Sequence, residues 1–446
     1  MSSVIAIQSV PGRGRTLPVS AVAVPPFPLV AAHFALAFLW ALAGAAGLVR
    51  VAPTMALGTF LDPRVLALTH TFTLGFLTTV IMGVLYQIYP AMLGVACRSV
   101  RVAWWSLGAQ TAGTLLLVCG LLTGQRHLLG IGWSALFLAT FGIAWNVLPG
   151  RRRAQRNREI GAYVSYAHTA FGFAMAIGLV RIGDGFGWWT TPRLPLLAAH
   201  FQFAAVGFGS LTAMGVGSRM IPMFLGVERG ESWSLTWIPR ITLTGTVVFG
   251  LGALTSVGVL AWIGAALMAA GALLYLRLAQ DWYNRSRIRG ADATLILLVT
   301  ALASLAAAIP FGFGALEAGL RLPGLQAAYP ALLVLGWLGG LIIGVSYRIL
   351  PNLTWQYRFA SGATNPNVPG LGDLVSPRLG RLAALAYTAG LLVFLPALVF
   401  SAGALARIGA ALLFAGLLGT LLHHGRLFRP TKAREGTGAR PAREGS

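Results

Sequence analysis

Acidic side chains are scarce in this chain: of 446 residues only 11 are Asp or Glu, and charged residues of both signs make up 10%. Carboxylates are missing from the centres of the long apolar segments; Asp62, Asp184 and Glu317 fall near one set of ends and Asp292 near the other. A proton- or sodium-coupled carrier therefore lacks its usual intramembrane coupling group. The chain has two cysteines, Cys97 and Cys119, and no C-x-x-C pair. That spacing gives no support to a disulfide framework, a thiolate metal site or a covalently attached c-type haem. The first 25 residues contain Arg and Pro but no long apolar run with a small-residue cleavage site, so no cleaved signal peptide is expected.

What the chain has in abundance is hydrocarbon. Hydrophobic residues make up 57%, and the mean hydropathy is +0.75. A soluble core of this length has no room for that much apolar surface, so the expected partner is the lipid bilayer and the expected fold is an all-α polytopic membrane protein. Apolar stretches of about 20 residues, each long enough to cross a roughly 30 Å hydrocarbon layer as a helix, recur about twelve times. They cover 28–49, 65–90, 102–123, 128–148, 160–181, 195–223, 238–257, 259–279, 292–315, 326–350, 381–401 and 404–424.

The net charge of +22 is distributed by loop rather than gathered in one patch, which argues against nucleic acid. With a cytoplasmic N-terminus, that side receives Arg13, Arg15, Arg98, Arg101, the Arg151-Arg152-Arg153 cluster, Arg285, Arg287, Arg289, Arg358, Arg378 and a basic tail. The other side keeps scattered arginines such as Arg50, Arg64, Arg126, Arg181, Arg193, Arg321 and Arg407. This bias predicts an inner-membrane protein with both termini cytoplasmic. Residues 1–27 then form a cytoplasmic segment, 28–425 a single transmembrane domain, and 426–446 a disordered basic tail. Trp104-Trp105 and Trp188-Trp189 fall where interfacial aromatic anchors are expected.

One phrase occurs three times. Leu74-Gly75-Phe76 leads to Gly83 and Pro90, Val206-Gly207-Phe208 to Gly215 and Pro222, and Leu335-Gly336-Trp337 to Gly344 and Pro351. The copies lie about 130 residues apart, on the second, sixth and tenth predicted helices, which points to a repeating unit of four helices. Approximate units are 28–155, 156–290 and 291–425. An odd number of helices precedes each copy, so all three run in the same direction; an inverted repeat is excluded and rotation about the membrane normal is expected. Within each copy the two glycines are eight apart, about 80° off a common direction in a regular helix, which allows close approach along one flank.

Ionisable or ligating groups within a bilayer are rare and often functional. Of seven histidines, four fall within predicted spans: His33, His70, His168 and His200. His70 precedes the motif glycine by five residues and His200 by seven, so the two point to opposite flanks of equivalent helices. Those flanks face either one shared space or two. His33 and His168 read as a second repeat-related pair, roughly 15 Å from the first along the membrane normal, so one mononuclear site using all four is not expected. Each histidine has a plain structural reading, a hydrogen bond to a backbone carbonyl, beside a ligand role for haem iron or copper. His423-His424 reads as an interfacial pair.

This layout resembles subunit I of the haem-copper oxidase superfamily, and the motif helices look like those of its divergent NnrS-type haem and copper membrane relatives linked to nitric oxide tolerance. The likeness rests on Thr69-His70-Thr71 through Leu74-Gly75-Phe76 and on Ala199-His200-Phe201 through Gly207-Phe208. The resemblance implies a b-type haem, copper or both, with His70 and His200 as cofactor ligands and His33 and His168 as further metal candidates. It also implies a respiratory-chain or electron-donor partner. The departures are informative. Tyr329 and Ala331 stand on the tenth helix where the superfamily has histidines, and the seventh helix has no histidine. The full ligand set is absent, so the expectation is redox or nitric oxide stress physiology without oxygen reduction. The alternative is a metal-free membrane carrier or an accessory subunit of a respiratory complex.

Overall fold

The computed structural model describes residues 25–154, 157–230, 232–288, 290–360 and 368–428. The predicted cytoplasmic segment, but for residues 25–27, and the basic tail beyond Phe428 lie outside the described residues. Arg426–Phe428 close the last helix as a 3-10 turn with Leu427 buried, so that helix runs past the expected boundary at 425.

Among the described residues twelve helices are long and apolar enough to cross a membrane: α1 Phe27–Ala56, α2 Pro63–Leu93, α3 Val100–Thr123, α4 Arg126–Arg153, α5 Arg158–Phe186, α6 Arg193–Phe224, α7 Trp233–Thr255, α8 Gly258–Arg285, α9 Ala293–Arg321, α10 Pro323–Phe359, α11 Pro377–Val399 and α12 Gly403–Phe428. No strand occurs among the described residues. This is a multi-pass membrane protein. Every predicted span falls on one of these helices, and five of them start at a polar side-chain cap. Asp62, Ser99, Ser232, Asp292 and Ser376 accept backbone N–H bonds at the starts of α2, α3, α7, α9 and α11, satisfying donors that the ladder leaves open. At Asp62, hydrogen bonds from the Arg64 side chain and backbone hold the carboxyl down at about 2.

Three hairpins, α3–α4, α7–α8 and α11–α12, are built on small residues. A Cβ on Gly113 would lie 2.8 Å from the Gly132 carbonyl, one on Gly245 2.9 Å from that of Gly264, and one on Gly390 2.9 Å from that of Gly409. The backbones thus touch directly, as expected where helix association in lipid relies on packing. The motif glycines serve a second set of contacts. Gly75 and Gly83 face Trp40 and His33 of α1; Gly207 and Gly215 face Ala170 and Tyr163 of α5; Gly336 and Gly344 face Ser304 and Leu297 of α9. α12 packs along both α11 and α1, so the first and last helices are neighbours.

The motif helices are not regular α-helices, as the sequence had led us to expect. Each passes through a π-helical stretch, Thr71–Thr78 in α2, Gln202–Ser210 in α6 and Leu332–Gly339 in α10. π geometry advances only about 80–85° per residue, so three such steps cut the 80° mismatch between motif glycines to about 30°. The wider turn is what lets both glycines of a pair face one neighbour. It also turns carbonyls sideways. Gln110 of α3 donates to the Leu74 carbonyl at 2.9 Å and Tyr387 of α11 to the Leu335 carbonyl at 2.8 Å. Thr78 and Ser210 bond carbonyls five residues back, at 2.8 and 2.9 Å. At the centre, fully buried Trp337 of α10 donates to Ser210 Oγ of α6 at 3.1 Å.

Candidate metal centre

His70 and His200 come together. α2 places His70 directly before its π stretch, α6 places His200 two residues before its own, and the two rings lie 6.2 Å apart between centroids with a 37° interplanar angle. The two-residue offset read from the motif therefore aims the imidazoles from opposite flanks of neighbouring helices into one shared space.

Hydrogen-bond accounting sets their tautomers. His70 Nδ1 is 2.8 Å from the Leu66 carbonyl and His200 Nδ1 is 2.9 Å from the Ala174 carbonyl of α5. A carbonyl only accepts, so each Nδ1 carries the proton. In a neutral ring that leaves Nε2 as a lone-pair donor, the arrangement a ligating histidine adopts. Trp133 of α4 anchors the wall beside them by donating to the Met175 carbonyl at 2.9 Å. Gly178 of α5 lies against the rings of His200 and Trp133, its Cβ position 3.7 Å from His200 Cε1 and from Trp133. No group of three or more His, Cys, Asp or Glu side chains suited to a metal ion occurs among the described residues.

His33 and His168 join neither this pair nor each other. His33 is fully buried against Tyr86, with ring centroids 5.6 Å apart, and bonds the Leu29 carbonyl through Nδ1 at 2.7 Å. His168 bonds the Val164 carbonyl at 2.8 Å and lies edge-on to Phe208. Their expected equivalence also fails. Gly83 faces His33 but Gly215 faces Tyr163, so the counterpart of His33 in α5 is Tyr163. His168 stands five residues further along that helix. The short His-Phe-Ala and His-Thr-Ala likeness concealed the register that the glycine contacts fix.

His423 and His424, near the end of α12, are buried within the protein, at 3% and 5% exposure. His423 bonds the Ser376 carbonyl at 3.1 Å and His424 Nε2 bonds Ser346 Oγ at 2.9 Å. Both rings flank Tyr347, at 4.8 and 5.2 Å between centroids. A small residue, Gly380, admits His423 where α11 crosses; nothing in the local spacing of α12 announced it.

On the far side of the same helices lies a cavity of about 470 Å³. Thr69 and Phe72 of α2, Phe201 and Gln202 of α6 and Tyr329 and Ala331 of α10 line it, whereas the rings of His70 and His200 do not. Gln202 and Tyr329 hydrogen-bond each other at 3.1 Å across it. The Tyr329 hydroxyl is thereby engaged, and no imidazole faces the cavity, so its walls offer haem iron no axial nitrogen. The comparison of this chain with known proteins brings no family forward: no family model matches it and no curated protein matches it.

Proposed function

We propose that the chain is a metal-binding inner-membrane protein of haem-copper-oxidase-like layout, in which His70 and His200 together hold one copper ion. The reading rests on one observation: two neighbouring imidazoles whose Nδ1 protons are both committed to backbone carbonyls. A ring bound through nitrogen at about 2.0–2.1 Å has its centroid about 3 Å from the ion, so centroids 6.2 Å apart lie within the reach of a single ion. Neutral imidazoles suit copper. Copper bound there supplies a one-electron redox couple. The chain's own residues orient the rings through Leu66 and Ala174 and shield them with Trp133. A b-type haem is the second occupant of the proposal, carried by one imidazole, and an optical spectrum separates the two. Without the remaining ligands of the oxidase type, the function is redox or nitric oxide stress physiology rather than oxygen reduction, with an electron-donor protein as partner.

The proposal includes the architecture. Three four-helix units, α1–α4, α5–α8 and α9–α12, are arranged around the axis of α2, α6 and α10, with both termini cytoplasmic. The recurring glycine contacts and the three π stretches support it.

The test is metal analysis and an optical spectrum of the purified chain beside His70→Ala and His200→Ala. About one copper per chain, lost in either variant, is expected; a Soret band lost in one variant assigns haem instead. A purified chain that carries neither, and takes up no copper(I) on titration, overturns the reading.

A further inference from the structure

The cavity of about 470 Å³ extends well along the helices that wall it. Along α9 its lining runs from Leu305 to Leu320, about 22 Å at the helical rise per residue. The depth exceeds the roughly 15 Å that one leaflet contributes to a 30 Å hydrocarbon layer. Its walls are almost wholly apolar, with Met268 and Ala272 of α8, Ile309 and Phe313 of α9 and Leu333 of α10 among them. The polar groups inside are few. Gln202 and Tyr329 satisfy each other, and the Thr242 hydroxyl, buried without a partner, stands on the wall formed by α7. Nothing inside would hold a charged or strongly polar head.

Charge stands at the mouth instead. The end formed where α2 and α6 begin and α9 ends is lined by Val65, Leu194 and Leu320, each next in sequence to an arginine: Arg64, Arg193 and Arg321. Arg64 pairs with Asp62 at 2.7 Å and Arg321 with Glu317 at 3.8 Å. Arg193, exposed at the start of α6 beside the lining residue Leu194, forms no ion pair among the described residues. A guanidinium is the side chain best matched to phosphate oxygens, through two parallel N–H bonds.

We infer that this cavity is a site for one phospholipid, with an acyl chain threaded between α6, α8, α9 and α10 and the phosphate held at Arg193. A lining longer than one leaflet is deep, predominantly apolar walls and an arginine beside the rim together describe that ligand. The site is separate from the histidine pair, whose rings face away from it, and stands or falls independently of any metal.

The experiment uses the full chain reconstituted in equal parts phosphatidylglycerol and phosphatidylethanolamine, re-extracted in mild detergent, washed free of loose lipid and analysed by mass spectrometry for phospholipid per chain. The expected result is about one retained phospholipid. Ala269→Phe, which fills the cavity from α8, is expected to remove it, and Arg193→Gln, an exposed change at the rim, to lower retention severalfold with an unchanged melting temperature. Metal content measured on the same samples stays constant if the two sites are separate. Retention unaltered in both variants, or no phospholipid on the wild-type chain, overturns the inference.

Discussion

Tyr387→Phe isolates the contact that holds the π stretch of α10 against α11. Tyr387 is 2% exposed and its hydroxyl donates to the Leu335 carbonyl at 2.8 Å. Phenylalanine fills almost the same volume, so the change removes one oxygen and opens no side-chain-sized cavity. An orphaned buried carbonyl costs about 1–3 kcal/mol. Leu335 does not become an orphan, because the Gly340 N–H still reaches its carbonyl across the wide turn. The loss is thus that of a second bond. Side-chain hydrogen bonds between membrane helices average about 0.6 kcal/mol and reach about 1.7, so a destabilisation of about 1 kcal/mol is expected. Reversible unfolding in mixed micelles, followed by tryptophan fluorescence, reads it. Gln110→Met, which removes the matching bond to Leu74 in α2, is expected to cost a similar amount; because the π stretches of α2 and α10 touch, the double variant reads the coupling between them. A change below about 0.3 kcal/mol in both variants would show that the sideways carbonyls need no partner and would refute this account of the π stretches.

Three further outcomes follow from the packing. Gly83→Ala places a methyl 2.7 Å from His33 Cβ and is expected to lower stability by about 1–3 kcal/mol; Gly108→Ala, with nothing within 4 Å of its new Cβ, is expected to be neutral or to stabilise α3 by up to about 1 kcal/mol. In Ser346→Ala the buried His424 Nε2–H loses its acceptor, so a loss of about 1–3 kcal/mol in micelle unfolding is expected, and a melting temperature equal to wild type refutes it. Asp62→Ala removes the α2 cap and is expected to cost about 0.5–2 kcal/mol. Because the folded-state pKa of Asp62 is lowered to about 2, its contribution is complete above the ordinary carboxylate value and fades as pH falls towards 2, so the difference between wild type and variant closes over that window.

Most of the transmembrane layout was legible because it depends on run length and hydropathy, which one sequence carries directly. Every predicted span falls on a helix, and the motif glycines do face a neighbouring helix. The angular details were less accessible. Turning a two-residue offset into a direction assumes 100° per residue, and the π stretches change that advance inside the motif itself. Whether His70 and His200 shared a space depended on the placement of α2 against α6, a tertiary fact. The equivalence of His33 and His168 was misread from three-residue likenesses, where the register is set by which side chain Gly83 and Gly215 meet. The place of His423 and His424 near a helix end did not show their burial. They are buried because Tyr347 and Ser346 of α10 and Gly380 of α11 close over them, contacts from residues about 40 or more positions away.

The seam between α1 and α12 bears on how the molecule is made. α1 leaves the ribosome first, yet one of the flanks it buries in the finished protein belongs to α12, about 370 residues later in the sequence. Until α12 is made that flank has no permanent neighbour, while α2 packs on the newborn helix through Trp40 and His33. The seam therefore closes only after α12 has emerged, and a chain stalled before Gly403 leaves that flank of α1 uncovered.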